Sequence, residues 1–199
     1  MSYAIIGFGK IGHALARAFA RKGIEVSVAT TRDPARFASD AAAIGPTIIP
    51  ATLADAVKAE IIFLAVRFES HPEIAKTLPD WKGKTLIDTM NTLAPLEELD
   101  GLPSSAVVAK AFTGARLVKG FNHLAAAVLN QDPAVHGGRR VVFLAGDDDG
   151  ATAEIGALAE NLGFAPINLG GLSEGGLLVH ARGNRWGHLI FKDLVKFDR

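Results

Sequence analysis

Ser2-Tyr3-Ala4-Ile5-Ile6-Gly7-Phe8-Gly9-Lys10-Ile11-Gly12 is an apolar run ending in a glycine-spaced turn, and its reading decides the fold. Beyond the turn, Ile11, Leu15, Ala18 and Phe19 recur at i, i+4, i+7 and i+8, the apolar stripe of a helix. Lys22-Gly23 closes that helix, because a basic last turn complements the dipole and glycine accepts the left-handed cap. A second apolar run, Val26-Ser27-Val28-Ala29, leads into Thr30-Thr31-Arg32-Asp33-Pro34. Strand, G-x-G-x-x-G, helix and strand form the phosphate-binding half of a dinucleotide fold. Gly7 permits the sharp turn, Gly9 lets backbone approach a pyrophosphate, and Gly12 lets the helix press against the sheet. Free N–H groups along this stretch, those of Phe8, Lys10 and Ile11 included, then face the ligand phosphates with the positive end of the helix dipole.

The end of the second strand points to one dinucleotide. An NAD-binding chain places Asp or Glu about 20 residues past the glycines, to hold the ribose 2′-hydroxyl. Here Thr31 and Arg32 take that place, with Arg36 one helical turn further on. A hydroxyl and two guanidiniums suit the 2′-phosphate of NADP, since arginine offers forked, charge-assisted donors. The alternative is that Arg32 and Arg36 form a solvated face beside Asp33. The missing acid and the present bases both favour NADP.

The 199 residues are 49% hydrophobic and 21% charged, ordinary composition for a globular chain long enough for a packed core. Lys plus Arg and Asp plus Glu each total 21, and this balance gives no support to nucleic-acid binding. The lack of cysteine excludes a disulfide framework, a thiol nucleophile and thiolate metal ligands. The apolar N-terminus is used by the first strand, so it does not read as a signal peptide, and no apolar stretch is long enough to span a bilayer. The expected location is the cytoplasm, with no membrane partner.

Further along, short apolar runs alternate with helical stretches. A helix is expected over Pro34–Ala43 with Asp33 as N-cap, then a strand at Thr47-Ile48-Ile49 and a helix capped by Thr52. Ile61 to Val66 is the most continuous apolar run and reads as a central strand buried on both faces. Strands follow at Thr85–Asp88, Leu117–Phe121, Val141–Ala145 and Ala165–Asn168, with helices near Pro72–Leu78, from Ser104 and Ser105 as caps to Phe112, and over Ala151–Leu162. This alternation predicts an α/β, Rossmann-type doubly wound parallel sheet with a small C-terminal α/β extension. A composition shift near Leu124 to Gly138 divides residues 1–129, a NADP-binding domain, from residues 130–199, a small domain expected to pack over the cofactor cleft.

Ligands of such sheets bind beyond the carboxyl ends of the strands, at the switch in strand order. Gly7–Gly12, Thr30–Arg32, Ala65-Val66-Arg67-Phe68, Met90-Asn91-Thr92 and Phe121-Asn122-His123 are expected to converge there. Asn91 and Asn122 suit either a carboxamide or acceptor carbonyl, or simple turn formation. His123 could donate to negative charge developing on an acceptor, or be an ordinary loop histidine. Arg67 either clamps cofactor or acceptor, or pairs with Glu69 in water. The other histidines, at 13, 71, 136, 180 and 188, show no ligand spacing, so no metal site is expected. Asp147-Asp148-Asp149-Gly150 resembles the start of a calcium loop, but Ala159 occupies the twelfth position from Asp148, so the carboxylates are read as starting a helix. Trp81 and Trp186 are read as core or lid packing.

Together, Gly7-Phe8-Gly9-Lys10-Ile11-Gly12, Thr31-Arg32, Phe63-Leu64-Ala65-Val66, Lys119-Gly120-Phe121-Asn122 and Val141 to Asp147 resemble the NADPH-dependent coenzyme F420 reductase family. The resemblance continues through Leu162-Gly163-Phe164, Leu169-Gly170-Gly171-Leu172 and Leu194 to Asp198. It implies a Rossmann domain with a small C-terminal domain, a homodimer, and hydride exchange between NADPH and a deazaflavin (F420) or a flavin, FMN or FAD. Three places depart from the family pattern: Phe8 stands where Thr is frequent, Val66-Arg67-Phe68 replaces Val-Pro-Trp, and Gly120 replaces Ala. They bear on the acceptor and leave NADP binding intact. Two other readings stand beside this one, a NADPH-dependent reductase of a small imine or carbonyl compound and a non-catalytic NADPH-binding regulatory protein.

Overall fold

A computed structural model describes residues 1–181 and 193–197. Six strands form its parallel half: β1 (Tyr3–Ile6), β2 (Val26–Ala29), β3 (Ile48–Ala51), β4 (Ile61–Leu64), β5 (Thr85–Asp88) and β6 (Arg116–Gly120). They lie in the order β3-β2-β1-β4-β5-β6, the doubly wound arrangement, and the order reverses between β1 and β4. All four residues of β4 are buried, as its unbroken apolar run requires of a central parallel strand. Between the strands run α1 (Lys10–Arg21), α2 (Ala38–Ile44), α3 (Leu53–Ala56), α4 (His71–Ala75) and α5 (Ser104–Ala111). Helix α1 buries Leu15, Ala18 and Phe19 as its periodicity predicts, and Gly23 follows it with φ of 64°.

After β6 come α6 (Ala126–Leu129), β7 (Ala134–Val135), β8 (Gly138–Gly146), α7 (Asp149–Asn161), β9 (Ala165–Asn168), α8 (Gly175–Leu178) and β10 (Val195–Phe197). Here the sheet is mixed rather than parallel throughout. Strand β8 runs antiparallel to β6, β7 and β10 and parallel to β9, so one sheet continues past residue 129. His136 and Gly137 both adopt positive φ, 48° and 84°, which makes a two-residue hairpin turn, matched to strand twist, between β7 and β8.

One face of the sheet is filled by Ile5, Leu15, Phe19, Phe63, Phe121 and Phe164, the other by Ile62, Leu64, Trp81, Leu86 and Phe112. Trp81 is core, with its ring against Phe112 and its indole N–H donated to Ala75 O at 2.9 Å. Trp186, His188 and Asp198 lie outside the described residues.

Two local readings need correction. The helix expected over Pro34–Ala43 is a 3₁₀ turn at Pro34–Arg36 followed by α2. Between them Phe37 leaves helical geometry at φ −131° to bury its ring near Phe8, so tertiary packing overrides propensity. Ser104 and Ser105 do not cap α5; Pro103 holds that position and both serines are buried in the first turn. Asp33, Thr52 and Asp148 do act as caps, accepting from the N–H of Ala35, Asp55 and Ala151. Among the described residues no helix is long and apolar enough to cross a membrane, and no cluster of acidic and imidazole side chains could hold a metal ion.

Candidate active site

A cavity of about 610 Å³ opens where the strand order reverses. The glycine turn contributes Gly7, Phe8 and Gly9 to its wall, and the end of β2 contributes Thr30, Thr31 and Arg32. Ala65, Val66 and Arg67 follow β4, and Leu53, Glu69, Ser70, Glu73 and Ile74 close the far side.

The three motif glycines have separable geometries. Gly7 sits at φ +104° and donates its N–H to Ala29 O at 2.8 Å; a Cβ there would collide with Ala65 O. A Cβ on Gly12 would collide with Gly7 O, so the close approach is of α1 to the turn itself as well as to the sheet. Gly9 is exposed, and a Cβ there would meet nothing within 4 Å. Gly9 is also the N-cap of α1 and offers no side-chain acceptor, so the first-turn N–H groups of Lys10, Ile11 and Gly12 have no capping side chain. Phe8 borders the cavity but is 6% exposed, its ring 4.0 Å from that of His13 and 5.7 Å from that of Phe37. The aromatic at this departure from the family pattern is therefore anchored in the core.

Arg32 is exposed on the cavity wall, and its backbone N–H donates to Thr30 Oγ1 at 3.0 Å. Asp33 gives one carboxylate oxygen to Ala35 N at 2.8 Å and forms no ion pair with Arg32 among the described residues. Among the described residues neither Arg32 nor Arg36 forms an ion pair, and Arg67 does not pair with Glu69. Arg36 is exposed on the 3₁₀ turn and lies outside the cavity lining.

The ends of β5 and β6 meet each other rather than this wall. Asn91 Nδ2 donates to Asn122 O at 2.8 Å, and Asn122 Nδ2 donates to Asn91 Oδ1 at 2.9 Å and to Val179 O at 2.8 Å. His123 is 7% exposed and packs 4.6 Å from the Phe143 ring, outside the cavity lining. Phe121 reaches this corner in the left-handed region, φ +62°, a strained state for a bulky residue, held by ring contacts to Phe63 and Phe164.

A sequence profile of the family described as NADP oxidoreductase, coenzyme F420-dependent, matches residues 2–92. A solved structure from Arthrobacter sp. FB24, which carries the name of an F420-dependent NADP reductase, is 27% identical, with a TM-score of 0.71 over 86% of each chain. Over residues 2–92 the chain matches this F420-dependent NADP oxidoreductase family. A hypothetical protein from Sinorhizobium meliloti is more similar in structure, with a TM-score of 0.90 and 35% identity over 98% of this chain and 96% of that one. The rat metalloreductase STEAP3 is 30% identical over 172 residues, 85% of this chain and 34% of its own length. The chain thus spans about a third of the length of the curated relatives it matches.

Several parts of the site and its surroundings escaped sequence reasoning. Glu69 and Ser70, on a 3₁₀ turn after β4, and Glu73, on α4, reach the wall, a placement with no local signal. Thr30 was expected at the site, but not that its hydroxyl accepts from the Arg32 backbone N–H. Asp88 and Lys119 form a buried ion pair, with Nζ 3.1 Å from Oδ2. A charged residue in each of two neighbouring apolar strands was the available signal for it.

Proposed function

We propose that the chain binds NADPH across this crevice and passes a hydride to a deazaflavin or flavin ring. One observation carries the reading: Arg32, whose guanidinium has no ion-pair partner among the described residues, shares a cavity wall with the open backbone at Gly9. The residues fit the cofactor. The cavity volume is within the range of small-molecule sites, roughly 300–1,000 Å³. First-turn N–H groups of α1 suit a pyrophosphate, and Thr31 and Arg32 suit a 2′-phosphate. Arg67, Val66 and Ile74 line the cavity and would offer cationic and apolar surface to a purine.

When bound, NADPH supplies the hydride that the oxidised acceptor takes up. The chain's part is to hold the two rings in contact and exclude water. Asn91 keeps one amide hydrogen and one oxygen lone pair beyond its bonds to Asn122, enough to orient a carboxamide. The proposal routes no proton through His123, which packs in the interior against Phe143.

Calorimetry with NADPH and NADH tests the cofactor assignment, and NADPH is expected to bind at least tenfold tighter. Equal affinities would refute it. NADPH oxidation followed with F420, FMN and FAD, then with carbonyls and imines, then with no acceptor, assigns the acceptor class. Turnover confined to imines or carbonyls would overturn the ring-acceptor reading. The Gly9→Ala substitution is expected to leave the melting temperature unchanged, since its Cβ meets no protein atom, while weakening NADPH about tenfold or more by occupying space intended for phosphate. A variant that binds NADPH normally would place the phosphates elsewhere.

A further inference from the structure

Asp88 and Lys119 face each other in register on β5 and β6, 0% and 1% exposed. A buried ion pair is a poor device for stability alone, because the loss of hydration offsets much of the attraction and apolar residues of similar volume often serve as well. Burial lowers the pKa of the Lys119 ammonium, and Asp88 opposes that shift through its charge and hydrogen bond. What the pair holds is backbone. Lys119 Nζ donates to Met90 O at 2.5 Å, and Met90 N–H donates to Asp88 Oδ1 at 2.9 Å. Both polar groups of Met90 are therefore bound by the two charges. Thr89 fastens the preceding residue to β4, its hydroxyl donating to Leu64 O at 2.8 Å.

The next residue is Asn91, exposed at the end of β5 and locked to Asn122 by two reciprocal bonds. A direct chain of bonds thus runs from the buried charges through Met90 to the one side chain of this corner that meets solvent with unused amide groups. We infer that Lys119 is a positioning residue for the nicotinamide end of the site: its ammonium, clamped by Asp88, fixes Met90 and with it the Asn91 carboxamide. The inference rests on the proposed NADPH site and on a nicotinamide that reaches beyond the cavity lining to the end of β5, because a carboxamide-bearing ring is what Asn91 would orient. Adenosine 2′,5′-bisphosphate carries the phosphates and purine without that ring, so it separates the two ends of the site.

The test compares calorimetric affinities for NADPH and for adenosine 2′,5′-bisphosphate in the wild type, Lys119→Met, Asp88→Leu/Lys119→Met and Asn91→Ala. Lys119→Met leaves a lone buried carboxylate and can fail to fold; the double substitution removes both charges and keeps the volume. NADPH is expected to weaken about tenfold in the double variant and in Asn91→Ala, with the bisphosphate held within twofold of wild type. A double variant in which both ligands weaken alike, or neither changes, overturns the inference, and so does a double variant that does not fold, which would assign the pair to stability. Failure of the wild type to bind NADPH is a different result, since it removes the proposed function together with this inference.

Discussion

Arg32→Ala is expected to weaken NADPH roughly 10- to 100-fold while leaving NADH within twofold of the wild type. The guanidinium is on the cavity wall and has no carboxylate partner among the described residues, so its loss is not offset by freeing a partner for another cation. Hydrogen bonds to charged groups are worth about 1.5–3 kcal/mol, and about 1.4 kcal/mol is a factor of ten in affinity. Arg32 is exposed, so screening keeps the effect toward the lower part of that range and makes it smaller as salt rises. NADH lacks the 2′-phosphate and does not use the contact. Calorimetry at two ionic strengths measures both features. Parallel weakening of NADPH and NADH would mean that Arg32 supports the turn rather than reads the phosphate. Arg36→Ala is the control, because Arg36 lies outside the wall.

Gly12→Ala is expected to lower stability by about 3 kcal/mol, the upper part of the usual overpacking range, because the added methyl would overlap the carbonyl oxygen of Gly7. Backbone cannot rotate aside as the end of a long side chain can. Relief requires moving α1 away from the turn, and α1 carries Leu15, Ala18 and Phe19 into the core. For a chain of this size, each kcal/mol corresponds to about 2–4 °C, so a fall of roughly 6–12 °C in melting temperature is expected. Gly9→Ala is the contrast, three residues earlier, free of the clash and open to solvent. A melting temperature for Gly12→Ala equal to that of Gly9→Ala would show that α1 does not pack against the turn as closely as the structure has it.

These two positions also show how far the chain could be read in advance. The roles of Gly7 and Gly9 follow from a strand, a tight turn and a helix start, all encoded within a dozen consecutive residues. Asp33, Thr52 and Asp148 are legible for the same reason, since a cap bonds to an N–H two or three residues away. Phe37 was not legible: its departure from helical geometry comes from the pocket that Phe8 helps to form, a long way back in sequence. The hairpin at His136-Gly137 lay within reach, but a lone glycine pair reads as an interruption until strands are seen on both sides.

Sequence alone determined the alternation of strands and helices that makes a doubly wound sheet, the glycine turn after the first strand and the basic residue at its neighbour's end, Arg32, because short-range periodicity and turn chemistry encode each of them. Tertiary structure alone decided that β8 returns antiparallel, that Phe8 turns inward, that Asn91 and Asn122 lock together, and that Lys119 is buried against Asp88. The physical reason is range. Caps and glycine turns act over a few residues, whereas pairing, ring packing and charge burial join residues some 30 apart that meet only when the sheet has formed.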